Sequence, residues 1–150
     1  MDAVRLEGRA EENGLALMLQ GLLSENIAAS ENKRHDFNAM SSIFALVAPD
    51  AEVTVTLAFD RGSCTLYDGL HGDPDLMITA NSDAIPAMSL LQIRHGLPWL
   101  FDDNGKAFVR SLLGRDVRIS VLVKIPPSPL RTLTAAVDLV RLTKVLSVNS

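Results

Sequence analysis

The sequence predicts a single α+β domain in which helices cover a sheet of short strands. Residues 53–59 and 117–123 alternate apolar and polar side chains with a period of two, which is typical of half-buried strands. Residues 15–27 follow the 3.6-residue period of a helix, and an almost wholly apolar helix is predicted near the C-terminus. A length of 150 residues favours one domain, and 47% hydrophobic residues exclude a disordered chain.

Composition excludes several classes of function. A net charge of −4 disfavours a dedicated nucleic-acid binder. The single cysteine, Cys64, excludes an intramolecular disulfide and a cysteine-based zinc site. We expect no signal peptide, because the first residues carry acidic side chains where a signal peptide needs a basic start and an apolar run. We also expect no membrane span, because the sequence has no uninterrupted apolar run of about 18 residues. We therefore expect a cytoplasmic protein that makes at most peripheral contact with membranes.

The first fifty residues are expected to extend the same domain as a helix and a connector. Six apolar residues share one helical stripe, so the first thirty residues are predicted to be helical; these six are Leu15, Met18, Leu19, Leu22, Leu23 and Ile27. The polar residues 30–36 interrupt the stripe and are predicted to be a connector. Residues 42–48 form a short apolar run that suits a strand or a helix, and the turn residues Pro49 and Asp50 favour a strand.

The middle of the chain is predicted to contain three strands, over residues 53–59, 64–68 and 76–80. The turn residues at 60–63 join the first two strands into a hairpin. Residues 69–74 are rich in glycine, proline and aspartate and are predicted to be a loop. Short connections of this kind favour an antiparallel meander.

The second half is predicted to add three helices, an apolar loop and one strand. These are a helix over 82–94 capped by Ser82, an apolar loop over 96–101, a short helix over 104–113, a strand over 117–123 and a last helix over 129–147. Pro126 and Pro127 separate the strand from the last helix.

The last helix is more apolar than a surface helix requires. Its polar residues form one narrow stripe at spacings of three, four and three, consisting of Arg131, Thr134, Asp138 and Arg141. A surface helix needs an apolar arc of only a little more than ~100°. The helix must therefore be buried on two sides, cover an apolar ligand, pair with another copy or contact a bilayer. We expect a movable lid whose basic residues meet anionic headgroups, and a fixed core helix is the alternative.

Catalytic, metal and nucleotide sites are all disfavoured. Ser63 and Cys64 have His71, Asp73 and Asp75 nearby in sequence, but no nucleophile-elbow pattern surrounds them. The loop from His71 to Asp75 lacks the ligand spacing of a zinc or EF-hand site, and the glycines form no phosphate-binding motif. We therefore expect no enzyme, no metal and no cofactor.

Residues 51–146 resemble the sterol carrier protein type 2 family of small lipid-binding domains. Residues 53–64 resemble its strand, acidic-x-Gly turn and second strand, residues 73–79 resemble its Pro-Asp-Leu-x-Ile-Thr strand, and residues 106–119 resemble its helix-to-strand step. The resemblance implies a five-stranded, mainly antiparallel sheet with helices on one face and an apolar tunnel between them. Residues 51–150 would form this core and residues 1–50 an extension of it.

The resemblance also implies a function, because the family binds sterols, fatty acids, acyl chains and phospholipids without chemistry of its own. It implies an apolar tunnel lined by Met88, Leu91, Phe108, Ile119, Leu133, Val137 and Val140, with Trp99 and Leu100 near the entrance. The expected partner is a lipid or another hydrophobic small molecule. The alternative is a non-enzymatic interaction or homodimerisation module, or an accessory factor in lipid or quinone metabolism, that uses the same apolar surface.

Overall fold

This computed structural model describes residues 3–80, 93–94, 97–98, 106, 117–121 and 129–146. Within these residues the fold contains eight strands and three α-helices whose first and last residues are defined. The strands are β1 (Val4–Glu7), β2 (Ile43–Ala48), β3 (Val53–Phe59), β4 (Cys64–Asp68), β5 (Leu76–Ala80), β6 (Ile93–Arg94), β7 (Leu97–Pro98) and β8 (Val117–Val121). The helices are α1 (Gly14–Ala29), α2 (Glu31–Ala39) and α3 (Pro129–Leu146), and short 3-10 helices cover Gly8–Glu12 and Pro49–Ala51.

Six of the strands form one mixed sheet in the order β1-β4-β3-β2-β5-β8. The β1–β4 and β2–β5 pairs are parallel, and the other three pairs are antiparallel. Strands β6 and β7 pair with each other in a separate ribbon. The predicted α+β class with helices packed on one face is confirmed. The sheet has six strands instead of five because the N-terminal β1 adds to its edge, and it is mixed.

The parallel β2–β5 pair corrects the predicted meander, because β5 lies beside β2 and not beside β4. Asp75, directly before β5, explains this placement. Its backbone N–H donates to the Ile43 carbonyl at 2.7 Å, and its carboxylate accepts from the Ile43 N–H at 2.9 Å. These two contacts align the start of β5 with the start of β2 and set the register Phe44↔Leu76.

One face of the sheet carries the apolar core. Alternate residues of the central strands are at most 3% exposed on this face, and they are Phe44, Leu46, Val55, Leu57, Phe59, Cys64, Leu66, Leu76 and Ile78. Helix α1 contacts β1, β3 and β4 and contributes the buried Leu19 and Leu23 to the same cluster. The period-two pattern of β3 and the helical stripe of α1 are therefore both explained by burial in one core.

The predicted N-terminal helix is correct for α1 and wrong for the residues before it, which form β1 and a 3-10 helix. The helix begins only at Gly14, because the Asn13 side chain caps it by accepting from the Leu15 and Ala16 N–H groups at 3.1 Å. Residues 4–7 form β1, whose parallel pairing with β4 is a long-range contact that the local pattern does not contain.

The predicted connector over residues 30–36 is wrong, because most of it is helical and belongs to α2. Ser30 caps this helix, and its hydroxyl accepts from the Lys33 N–H at 3.4 Å. Only Lys33 and Phe37 of α2 are buried. Because so few positions of the helix face the core, its sequence lacks the repeated apolar residues that would have predicted a helix. The helix contacts α1 and α3, and tertiary packing of this kind stabilises a helix whose own sequence pattern is weak.

Other strand predictions are confirmed, including the β3–β4 hairpin and the strands β2, β5 and β8, although β8 is described only to Val121. Two predictions for the second half of the chain are wrong in part. The predicted end of a helix at residues 93–94 is strand β6, and residues 97–98 of the predicted loop are strand β7. The rest of the predicted helix over 82–94 and loop over 96–101 lies outside the described residues. The predicted helix over 104–113 also lies outside them, apart from the helical Lys106.

Candidate functional site

Helix α3 has a buried side and an exposed apolar side. Its buried residues are at most 1% exposed, and they are Ala135, Asp138, Leu142, Val145 and Leu146. Leu133, Val137 and Val140 are 62%, 42% and 38% exposed. At 3.6 residues per turn the two sets lie on opposite sides of the helix. We call Leu133, Val137 and Val140 the outer stripe.

The buried carboxylate of Asp138 sets which side of α3 faces inward. Its Oδ2 accepts hydrogen bonds from the Ser41 N–H at 3.1 Å, the Ser42 N–H at 3.0 Å and the Ser42 hydroxyl at 2.6 Å. Its Oδ1 accepts from Arg141 at 2.9 Å. Asp138 therefore holds α3 against the start of β2, and its place in a polar stripe of the sequence does not mean that it is solvated.

The C-terminal end of α3 is held by polar groups of α1 and α2. The Asn26 amide donates to the Val145 carbonyl at 2.8 Å, and the Lys33 ammonium donates to the Lys144 carbonyl at 3.1 Å. Lys144 in turn pairs with Asp36 at 3.1 Å. These contacts satisfy carbonyl groups that the end of a helix leaves without intrahelical partners. The Lys144 ammonium is thus paired with Asp36, and the Arg141 guanidinium is paired with Asp138. Both of these basic side chains of α3 therefore have partners within the protein.

Burial lowers the pKa of the Lys33 amine from its usual value, and the nearby Asp36 carboxylate opposes this shift. A lysine whose pKa is lower in the folded than in the unfolded protein binds fewer protons when folded. Its contribution to stability therefore increases as the pH rises through the folded pKa towards 10.5. Below the folded pKa, the ammonium form makes the less favourable contribution.

We expect Lys33→Met to remove this pH dependence. The unfolding free energy of the unaltered protein should increase relative to that of Lys33→Met as the pH rises from 7 to about 10. Urea unfolding at several pH values measures it. Lys106→Met is the control, because Lys106 is exposed. A constant difference across this pH range would contradict the assignment.

Leu133, Val137 and Val140 are exposed, because Asp138 on the other side of the helix faces inward. Their place in the lining of an apolar tunnel stays a prediction. Ile119 pairs with the buried Ile78 in the β5–β8 register, and its side chain lies outside the described residues. The remaining predicted tunnel residues also lie outside them, and these are Met88, Leu91, Trp99, Leu100 and Phe108.

The residues weighed as catalytic candidates have structural contacts. Cys64 is fully buried in the core, and burial raises the pKa of its thiol far above the usual range, which makes it a poor nucleophile. The Ser63 hydroxyl donates to the Asp60 carbonyl at 3.4 Å. His71 stacks on Tyr67, and Asp75 fixes the β2–β5 register. Asp73 is exposed.

Metal ligation has no support in the part of the chain that the structure describes. No group of three or more His, Cys, Asp or Glu side chains in that part is arranged to hold a metal ion. Among the described residues, no helix has the length and hydrophobicity needed to cross a bilayer.

Sequence reasoning missed the role of Asp138. It also missed an open pocket beside Tyr67, which is lined by Glu7, Gly8, Arg9, Tyr67, Asp68 and His71. A signal for Asp138 was present, since a lone carboxylate between Val137 and Leu139 in an otherwise apolar helix is a candidate for a buried hydrogen-bonding group. The pocket had no such signal, because its residues come from β1, β4 and the segments that follow them.

The fold of the chain has a solved counterpart. No family model and no curated protein matches the chain. The structure is similar to a solved structure described as "UbiJ-SCP2 Ubiquinone synthesis protein", with a TM-score of 0.50 and 10% sequence identity over 84% of this chain and 90% of that chain. At this identity the similarity shows the fold alone, and it supports a fold like that of sterol carrier protein type 2.

Proposed function

We propose that this protein binds the hydrocarbon part of a lipid, such as an acyl chain, a sterol body or the tail of a quinone, and that the outer stripe of α3 forms part of the binding surface. The observation that carries the proposal is the exposure of Leu133, Val137 and Val140 on a helix whose opposite side is already buried. Contiguous exposed apolar surface of this kind marks interaction or ligand sites in folded proteins.

The anchoring of α3 supports the same function. Asp138, Lys144 and Val145 are held by hydrogen bonds and an ion pair to α1, α2 and the start of β2, so α3 cannot rotate to bury its outer stripe without breaking these contacts. The outer stripe is thereby kept exposed. Preorganised apolar surface binds a ligand without first paying an ordering cost.

The expected affinity is micromolar or weaker. Burial of about 300 Å² of apolar ligand surface at ~25 cal/mol per Å² contributes roughly 7 kcal/mol before the costs of association. Nonspecific apolar contact of this size does not distinguish closely similar hydrocarbon shapes. We therefore propose a class of ligand, and the similarity to a protein described by its role in ubiquinone synthesis supports a place in lipid or quinone metabolism.

The alternative is an interaction module in which the outer stripe buries a partner helix or a second copy of the chain. The spacings of four and three residues between Leu133, Val137 and Val140 favour it, because they match the seam of packed helices. Native mass spectrometry distinguishes the two functions. A retained lipid mass on a monomer supports lipid binding, and a lipid-free dimer supports the interaction module.

Charge substitutions in the outer stripe test the proposal. We expect Leu133→Asp and Val137→Asp each to weaken binding of a fluorescent fatty acid at least about tenfold, because a carboxylate at the contact is costly to desolvate. Titration followed by fluorescence measures it. Cys64→Ala should leave the affinity nearly unchanged, since Cys64 belongs to the core and we propose no covalent chemistry.

Two matched controls are available. Leu70 is 61% exposed and Leu17 is 46% exposed, close to the values for Leu133 and Val137, and both lie outside α3. Leu70→Asp and Leu17→Asp should change the affinity less than about twofold. Equal weakening by the control and stripe substitutions would show that the fatty acid binds elsewhere or nonspecifically.

A further inference from the structure

A second candidate site lies at the edge of the sheet that carries β1. It is an open pocket of about 360 Å³, lined by Glu7, Gly8, Arg9, Tyr67, Asp68 and His71. This volume lies within the usual range for small-molecule sites. None of its residues belongs to α3, so the pocket is separate from the outer stripe.

Two stacked rings form one part of the pocket. The ring centroids of Tyr67 and His71 are 3.7 Å apart, and the ring planes differ by 5°. Tyr67 is half-buried and His71 is exposed. The stack therefore offers a flat, accessible aromatic surface to a ligand with a planar ring.

The segment that carries His71 is held in place by β3. The Thr56 hydroxyl, which is fully buried, donates to the Gly69 carbonyl at 2.7 Å and accepts from the His71 N–H at 3.0 Å. The Gly69 N–H also donates to the Thr54 carbonyl at 2.8 Å. These contacts preorganise the aromatic surface, which lowers the ordering cost of binding.

The remaining lining residues carry charges of both signs. Glu7 and Asp68 supply carboxylates and Arg9 a guanidinium. The Asn13 amide fixes one Asp68 oxygen at 2.8 Å and also donates to the Thr54 carbonyl at 3.1 Å. Within the described part of the chain neither Glu7 nor Arg9 forms an ion pair. Both groups are therefore available to a ligand with an ammonium and a carboxylate.

We propose that this pocket binds a small aromatic zwitterion of the aromatic α-amino acid class. The ring of the ligand extends the Tyr67–His71 stack, its ammonium group contacts the carboxylates of Glu7 and Asp68, and its carboxylate contacts Arg9. A purely cationic ligand leaves Arg9 without a counter-charge, and a purely anionic ligand is repelled by two carboxylates. The site is open, so the expected Kd for L-phenylalanine is on the order of 1 mM.

Ligand-observed NMR with the full chain tests each part of this recognition. L-Phenylalanine should bind at least about fivefold more tightly than 2-phenylethylamine, which lacks the carboxylate, or 3-phenylpropionate, which lacks the ammonium. Cyclohexylalanine, which lacks a planar ring, should bind more weakly by a similar factor. Equal binding of all four compounds, or no binding of L-phenylalanine at ten times the expected Kd, would overturn the proposal.

Charge variants assign the two ends of the ligand. Glu7→Gln should weaken the binding of L-phenylalanine and 2-phenylethylamine but not that of 3-phenylpropionate. Arg9→Gln should weaken the binding of L-phenylalanine and 3-phenylpropionate but not that of 2-phenylethylamine. Glu12→Gln and Arg5→Gln are matched controls, because both residues are exposed in the same region and neither lines the pocket. Equal losses in the control variants would overturn the assignment. Fatty-acid binding by all four variants should be unchanged, which separates this site from the outer stripe.

Discussion

Replacement of Asp138 by alanine is expected to destabilise the protein by about 3 kcal/mol, the largest effect that we predict for a single substitution. The substitution removes the acceptor of three hydrogen bonds, from the backbone N–H groups of Ser41 and Ser42 and from the Ser42 hydroxyl. Ser42 is 3% exposed, so its donors cannot turn to water without local opening. Urea unfolding monitored by circular dichroism measures the loss.

Arg141→Gln is the matched control for this prediction. It removes the ion pair of Asp138 but leaves the carboxylate and its three other hydrogen bonds in place. Because the Arg141 side chain is 31% exposed, we expect a loss below about 1 kcal/mol. Asp138→Asn should fall between the two, since its amide oxygen still accepts but carries no charge. Similar losses for Asp138→Ala and Arg141→Gln would contradict a dominant role for the buried hydrogen bonds.

The second large effect concerns hydrogen exchange in α3. We expect amides of residues 138–146 to open with a free energy within about 1 kcal/mol of global unfolding, as for the central strand β3. Release of this segment would break the contacts of Asp138, the caps from Asn26 and Lys33, and the Lys144–Asp36 ion pair at the same time. Hydrogen exchange followed by mass spectrometry, with and without a fatty acid, measures the protection.

This outcome would decide between the two roles that the sequence leaves open for α3. A movable lid requires residues 138–146 to exchange faster than β3 and to slow when a fatty acid is added. A fixed platform requires slow exchange that does not depend on ligand. The anchoring contacts favour the platform, with binding confined to the outer stripe. Fast exchange that depends on ligand would restore the lid.

Local patterns in the sequence were sufficient for the elements that bury a regular apolar side. The alternation in β3 and the stripe in α1 predict their type correctly because a strand and a helix repeat with different periods. The same reasoning correctly identifies α3 as a helix with more apolar surface than one core contact needs. It fails for β1 and α2, because β1 pairs with residues some sixty positions away and α2 buries only Lys33 and Phe37.

The sequence by itself therefore determined the α+β class, most strands, and the excess of apolar surface on α3. Only the tertiary structure decided the parallel position of β5, through Asp75, and the choice of which side of α3 remains exposed. That choice depends on Asp138, whose hydrogen-bond donors at Ser41 and Ser42 lie 97 and 96 residues away in the chain. Hydrophobic periodicity is a local property, whereas a buried carboxylate must be placed where the fold supplies its donors.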